Sequence, residues 1–204
     1  MATSFASSST SPSHSGVYDV FINHRGPDVK KGIASRIYFL LKDSGLAVFL
    51  DQPEMQEGEG ITPQIKRAIR TASVHITIFS PGYANSDWCL NELVMMLESQ
   101  RARPGVSTII PIFYRVNPCE LRWTRGEDGV YARALSILRC ILLCTRDENE
   151  GYARALCMLQ KKTTIDSATN KKKPRHDSDT IEKWRKALSD VSVISGFELE
   201  KYNG

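Results

Sequence analysis

The chain has 204 residues, of which 41% are hydrophobic and 25% are charged, enough for one globular domain with a buried core. Its net charge of +4 is too small to indicate nucleic-acid binding, and no stretch reaches the roughly 20 apolar residues of a membrane span. The five cysteines fit neither a disulfide framework nor a zinc site, so we expect reduced thiols in a cytoplasmic protein, with the nucleus as a second location.

The two ends of the chain differ from its middle. Residues 1–16 are rich in serine and threonine and contain no lysine or arginine. A secretory signal needs a charged start and an apolar centre, so we expect a disordered tail here instead. We expect the folded domain over 17–199 and a short second tail over 200–204.

Apolar runs and helical periodicities alternate from residue 18 onward. The pattern predicts strands over 18–23, 46–50, 74–79 and 106–114, with a short fifth strand near 195–199. After a loop at 24–28 it predicts a helix from Val29 to Leu41, then helices that begin at Thr62 and at Ser86 or Asp87, and an amphipathic helix from Thr180 to Val193. Strands that alternate with single helices favour a parallel sheet. We therefore predict an α/β fold, a flavodoxin-like three-layer sandwich around a five-stranded parallel sheet.

A short repeat interrupts this order. The sequence Tyr131-Ala132-Arg133-Ala134-Leu135 recurs as Tyr152-Ala153-Arg154-Ala155-Leu156. One repetition is too little for a solenoid, so we interpret residues 128–178 as an irregular insertion that contains a local duplication. We expect an exposed linker over 163–178. The basic run from Lys171 to Arg175 is typical of a solvated loop, with phosphate or membrane-surface contact as the alternative.

The segment from Ser73 to Leu97 places an aromatic ring and a carboxylate at the mouth of a strand–loop–helix unit. Its strand ends at Ser80-Pro81-Gly82, and Trp88 and Glu92 lie on the first two turns of the next helix. Open α/β sheets bind ligands at the carboxyl ends of their strands, so this mouth is the candidate site. The simpler alternative is a solvated Glu92 on a helix that Trp88 packs against the sheet.

Ordered motifs along the chain together resemble a plant TIR (Toll/interleukin-1 receptor) domain. The matching motifs are Tyr18-Asp19-Val20-Phe21, Arg25-Gly26-x-Asp28, Val48-Phe49-Leu50-Asp51, Gly58-Glu59-x-Ile61, Ala68-Ile69 with Ser73, Ser80-x-x-Tyr83-Ala84-x-Ser86-x-Trp88-Cys89-Leu90-x-Glu92-Leu93, Pro111-Ile112-Phe113-Tyr114-x-Val116-x-Pro118, and Trp184-Arg185-x-Ala187-Leu188 with Gly196-Phe197. They cover residues 18–122 and 180–199, and leave 128–175 outside the resemblance.

The chain departs from the family pattern in a few places. Asn23-His24 stands where Ser-Phe is usual, Pro27-Asp28-Val29-Lys30 replaces Glu-Asp-Thr-Arg, and Glu57 replaces a basic residue. After the predicted fifth strand the sequence runs only to Gly204, so we expect the family's last helix to be absent. No nucleotide-binding or leucine-rich-repeat region is present, so the sequence resembles a TIR-only protein.

The resemblance implies cleavage of NAD⁺ between nicotinamide and ribose, giving ADP-ribose or a cyclic isomer as an immune or cell-death signal. NAD⁺ is then the substrate, and neither a cofactor nor a metal is implied. Glu92 matches the family's catalytic glutamate. The residues implied to bind substrate are Arg25, Gly26, Lys30, Phe49, Ser86 and Trp88. Each has a structural alternative: a solvated charge, a turn, a core ring or a helix cap.

The resemblance also implies self-association. The candidate surfaces are the first helix near Ser35, the BB loop Asp51–Ile61 and the helix Thr180–Val193. We expect low activity in the monomer and activation on association. Two other functions stay open: a non-catalytic adaptor for TIR–TIR pairing, and a nucleic-acid-acting enzyme that makes cyclic nucleotides, for which the basic run at 171–175 is a weak motive.

Overall fold

A parallel sheet forms the centre of the protein in a computed structural model that describes residues 17–50, 61–122, 151–167 and 171–199. Its strands are β1 (Val20–His24), β2 (Val48–Leu50), β3 (Val74–Phe79), β4 (Thr108–Phe113) and β7 (Phe197–Glu198). They lie in the order β2-β1-β3-β4-β7, and every neighbouring pair is parallel. The predicted α/β class and five-stranded parallel sheet are confirmed.

Helices connect the strands and cover the sheet on two faces. They are α1 (Gly26–Val29), α2 (Ser35–Asp43), α3 (Pro63–Thr71), α4 (Asp87–Ala102), α5 (Pro118–Arg122), α6 (Gly151–Lys161) and α7 (Ser178–Val191), with a π-helical segment at Lys30–Ala34 and a 3₁₀ turn at Tyr83–Asn85. The larger apolar core, which includes Phe79, Leu93 and Trp184, lies on the face of α3, α4, α6 and α7. The smaller core joins β-strand residues such as Ile22 and Ile78 to the segment around α2.

The first helical region differs from its prediction. Residues 24–28 were expected to form a loop, but α1 begins at Gly26 because Pro27, whose fixed φ suits a first helical turn, lies at its start. Within the predicted helix, Leu40 is 69% exposed and Phe39 beside it is 57% exposed, so α2 presents apolar surface to solvent.

The region after residue 150 is more ordered than the sequence indicated. Helix α6 buries Tyr152, Ala155, Leu156 and Leu159, so the second copy of the repeat belongs to the main core. In the predicted linker, whose described residues are exposed or half-buried, β5 (Thr163–Ile165) and β6 (Lys172–Pro174) pair as an antiparallel hairpin. The first copy of the repeat lies outside the described residues, as do both predicted tails and residues 51–60 of the BB loop.

The fifth strand reaches the sheet because of a glycine. A Cβ atom at Gly196 would collide with the Pro111 carbonyl and ring, and would lie 3.0 Å from the Phe113 ring. The glycine therefore permits β7 to pair with β4. Among the described residues, no helix has both the length and the apolar character that crossing a membrane requires.

Candidate functional site

The start of α4 meets the end of β1, and this junction holds Glu92. Ser86 caps the helix: its side chain accepts a hydrogen bond from the Cys89 backbone N–H at 3.3 Å. The Cys89 thiol in turn donates to the His24 carbonyl oxygen at 3.4 Å, which ties the first turn of α4 to the last residue of β1. The cap thus fixes the helix that carries Trp88 and Glu92.

Glu92 is fully buried, and each of its carboxylate oxygens accepts a hydrogen bond. The Trp88 indole Nε1–H donates to Oε1 at 2.7 Å, from four residues earlier on the same helix. The Asn23 amide Nδ2–H donates to Oε2 at 2.6 Å from the end of β1. A buried charge without partners would be costly, so these donors explain how the fold accommodates a carboxylate here. The alternative of a solvated Glu92 is wrong.

Asn23 is itself held in one orientation. Its Oδ1 accepts from the Tyr83 hydroxyl, which also donates to the Cys89 carbonyl at 3.0 Å. Burial, followed by the nearby Cys89 and Glu92, raises the pKa of Tyr83 well above its ordinary value, so the hydroxyl stays a neutral donor. Because the amide oxygen faces Tyr83, the amide N–H groups face Glu92. The sequence marked Asn23 only as a departure from the family pattern, and its role was missed.

Arg25 lies directly after β1 and forms an ion pair with Asp28. The Asp28 carboxylate also accepts from the Ser80 hydroxyl at 2.5 Å and from the Gly82 backbone N–H at 3.1 Å. Asp28 therefore holds Arg25 against the loop that follows β3, the strand next to β1 in the sheet. Gly26 begins α1, and its carbonyl accepts from the Lys30 backbone N–H. Lys30 is the first residue of the π-helical segment that follows α1, and its carbonyl accepts from the Ser35 hydroxyl.

Phe49 occupies a different environment from Glu92. Its ring stacks on Phe21, with centroids 5.5 Å apart and planes at 9°, and meets Tyr18 edge-on at 5.0 Å. These contacts make it a packing residue at the margin of the main core. Of the predicted site residues, Ser86, Trp88 and Glu92 therefore lie together at the start of α4. They are close to the end of β1, which Arg25 directly follows.

Helix α7, which the sequence predicted as a contact surface, uses its apolar face inside the protein. Its apolar face is buried, with Trp184 at 1% exposure, and the Trp184 indole donates to Asn91 Oδ1 on α4 at 2.9 Å. That face packs against the apolar side of α4 in the main core. The polar face of α7, which carries Lys186, remains exposed.

Comparison with known proteins places this geometry in a family. A family model described as the TIR domain matches residues 17–136. The chain belongs to the TIR domain family. The resemblance to plant TIR domains is therefore confirmed, and Glu92, Trp88 and Arg25 lie within the matched TIR region.

Two plant relatives and one solved structure show how far the similarity extends. The TIR domain is 45% identical over 104 residues to a Brachypodium distachyon protein named probable 2′ cyclic ADP-D-ribose synthase BdTIR, covering 51% of this chain and 44% of that protein. It is 31% identical over 191 residues to TMV resistance protein N of Nicotiana glutinosa, covering 94% of this chain and 13% of that protein. The chain therefore spans less than half the length of these relatives.

The structural similarity covers more of the chain. The TIR domains of the activated Roq1 resistosome that directly recognises the pathogen effector XopQ superpose with a TM-score of 0.59 at 28% identity. The match covers 92% of this chain and 91% of that one. The α/β architecture described above is that of a TIR domain.

Proposed function

We propose that this TIR domain cleaves NAD⁺ between nicotinamide and ribose, with Glu92 as the catalytic carboxylate. The observation that carries the proposal is the fixed position of Glu92, held by Trp88 and Asn23 at the end of β1. Such strand ends are where open α/β sheets bind ligands. The similarity to a probable 2′ cyclic ADP-D-ribose synthase supports the same chemistry.

The reaction asks little of the protein besides this carboxylate. Nicotinamide leaves a cationic ring as a neutral molecule, so the leaving group needs no general acid. Positive charge grows on the ribose as the bond breaks, and a fixed carboxylate beside it lowers the energy of that transition state. The same oxygens can accept hydrogen bonds from the ribose hydroxyls.

Substrate has to compete with a contact that the protein makes itself. Both Glu92 oxygens accept from protein donors, and the carboxylate is 0% exposed. Trp88 is the half-buried member of the pair of donors, whereas Asn23 is fully buried. We expect the Trp88 indole to turn away from Oε1 when ribose binds, while Asn23 keeps Oε2 in place.

Arg25 is the residue that we assign to the pyrophosphate. Its side chain is 30% exposed, so it can bind an anion, and Asp28 pairs with its guanidinium. Arginine suits this role because its planar N–H groups can donate in pairs to phosphate oxygens. We assign Gly26, Lys30 and Ser86 to the same mouth, whereas Phe49 packs against Phe21 and Tyr18.

We propose that self-association activates the protein. The exposed Phe39 and Leu40 lie on α2 beside the predicted surface near Ser35, and burying them favours a TIR–TIR contact. The related TIR domains belong to an assembly, the activated Roq1 resistosome. Activity per subunit should fall on dilution, and activity that stays constant over a 100-fold dilution would contradict this step.

The adaptor function is the second candidate. The observation in its favour is the same burial of Glu92, because a carboxylate with both oxygens bonded within the protein also suits a purely structural role. The nucleic-acid alternative has less support. Lys173 in the basic run pairs with Asp166 at 2.9 Å, and Arg175 approaches Asp87 at 3.3 Å, so part of its charge is used internally.

Incubation of the purified protein with NAD⁺ separates these functions. Glu92→Gln keeps the size of the side chain and removes its charge, and we expect it to reduce nicotinamide release by about 100-fold or more. Glu98→Gln, at an exposed position on the same helix, is the matched control and should retain activity. Chromatography of the products distinguishes ADP-ribose from a cyclic isomer. Equal nicotinamide release by wild type and Glu92→Gln would refute the assignment.

A further inference from the structure

Helix α6 comes from the repeated part of the sequence, yet its first turn contacts the loop beside the candidate site. Tyr152 is its second residue and is 1% exposed. The Tyr152 hydroxyl donates to the Ser80 carbonyl oxygen at 2.8 Å, across 72 residues of sequence. Ser80 is the first residue after β3, so this hydrogen bond fixes the backbone at the end of that strand.

Ser80 is also connected to Arg25 through hydrogen bonds to Asp28. Its hydroxyl donates to Asp28 Oδ2 at 2.5 Å, and the other oxygen of Asp28 accepts from the Arg25 guanidinium. Tyr152 therefore holds the Ser80 backbone, Ser80 holds Asp28, and Asp28 orients Arg25. Each step is a hydrogen bond between groups that are buried or half-buried, where solvent competes little.

The space around this chain of contacts is tight. A Cβ atom at Gly82 would lie 2.7 Å from Asp28 Oδ2 and 2.8 Å from Arg25 Nη1, and the Gly82 backbone N–H itself donates to Asp28. Only a glycine lets the Arg25–Asp28 pair sit against this loop without displacement. Tyr152 fixes the loop at Ser80–Gly82, and the position of that loop limits the position of the Arg25 side chain.

Tyr152 also supports the second half of the site. Its ring stacks on Tyr83, with centroids 6.5 Å apart and planes at 17°, and both rings pack against Phe79. Tyr83 donates to Asn23, which donates to Glu92. One buried side chain of α6 therefore lies behind the residues that we assign to the pyrophosphate and to the ribose.

We infer that Tyr152 is a positioning residue for NAD⁺, acting on Arg25 through Ser80 and Asp28. The inference rests on the proposed function, since Arg25 is assigned to the pyrophosphate there. It gives the second copy of the repeat a role in the site, and it predicts that removing one hydroxyl on α6 weakens the binding of phosphate-bearing ligands. Burial raises the pKa of Tyr152 well above its ordinary value, so the hydroxyl donates at every working pH.

The test is Tyr152→Phe, which keeps the ring stack and removes only the hydroxyl. We expect the KM for NAD⁺ to rise about fivefold, the ratio that one net hydrogen bond represents, with kcat within twofold of wild type. The KM for nicotinamide riboside, which lacks phosphates, should not change. Asp28→Asn acts later in the same chain of contacts and should give the same pattern with about a tenfold rise.

The repeat supplies a matched control. Tyr131 begins the identical sequence Tyr-Ala-Arg-Ala-Leu, so Tyr131→Phe makes the same change in the same sequence context. We expect its kinetics to equal those of wild type. The inference is overturned if Tyr152→Phe behaves like wild type, if Tyr131→Phe shows the loss instead, or if nicotinamide riboside is affected as much as NAD⁺.

A binding measurement separates this inference from the proposed function, because it needs no turnover. Calorimetric titration with ADP should show about fivefold weaker binding to Tyr152→Phe than to wild type, and titration with adenosine should show no difference. Wild-type protein that binds ADP but does not cleave NAD⁺ would refute the proposed function and leave the positioning role standing. Equal affinity of wild type and Tyr152→Phe for ADP would refute the positioning role.

Discussion

Replacing Asn23 with alanine tests whether the buried carboxylate is held from β1. The change removes the donor 2.6 Å from Glu92 Oε2 and the acceptor of the Tyr83 hydroxyl. A hydrogen bond to a charged group contributes about 1.5–3 kcal/mol, and a neutral one about 1 kcal/mol. Tyr83 keeps its second partner, the Cys89 carbonyl at 3.0 Å, so part of the neutral contribution survives. We expect Asn23→Ala to lower the free energy of unfolding by about 3 kcal/mol.

Urea unfolding followed by tryptophan fluorescence measures this loss, and a double-mutant cycle assigns it. With Glu92→Gln as the second change, the coupling between the two positions should be about 1.5 kcal/mol or more, because the charged acceptor is then absent. Asn85→Ala, an exposed amide in the 3₁₀ turn before α4, is the control and should stay within about 0.5 kcal/mol of wild type. A loss below about 1 kcal/mol for Asn23→Ala, or no coupling to Glu92, would refute the argument.

Two further predictions concern stability. Burial lowers the pKa of His75 from its ordinary value of 6.5, and the ring contacts the Ile69 carbonyl at 2.8 Å and Ser107 at 3.2 Å. The unfolded chain therefore binds a proton there more readily than the folded one, so stability should be level above about pH 7 and fall as the pH drops below 6.5. Urea midpoints between pH 7.5 and 5.5 measure this fall; a His75→Gln variant that falls equally steeply would show that other groups cause it. Gly196→Ala should cost about 1–3 kcal/mol because its Cβ collides with Pro111 of β4. Gly151→Ala, whose Cβ would make only an ordinary 3.7 Å contact, is the comparison, and equal thermal midpoints for the two variants would contradict the packing argument.

Much of this site was accessible from the sequence because it depends on local patterns. Ser86 followed by a helical periodicity indicated the cap, and the four-residue spacing put Trp88 and Glu92 on one side of α4. The strand ends followed from the alternation of apolar runs and helices. These features depend on residues close together in the chain, which is what periodicity and turn chemistry report.

The parts that were missed depend on contacts across the fold. Asn23 is one polar residue at the end of an apolar strand, and only the tertiary structure shows that Glu92 and Tyr83 are its partners. Tyr152 belongs to a duplicated sequence whose two copies have the same periodicity, so the pattern alone could not place Tyr152 in the core. The β5–β6 hairpin consists of exposed threonine, isoleucine, lysine and proline residues without the alternation that marks a half-buried strand.

The tethering of α4 to late parts of the chain bears on the order of events during synthesis. Asp87, the first residue of α4, is approached by Arg175, and Asn91 accepts from Trp184, 93 residues further along. The Ser80 carbonyl likewise accepts from the Tyr152 hydroxyl, 72 residues further along. Contacts so distant in sequence form late, because long loops must close before they can be made. A nascent chain that has emerged only as far as α5 keeps the contacts of Glu92 to β1 but lacks these later ones, so we expect the proposed site to be complete only when α6 and α7 have docked.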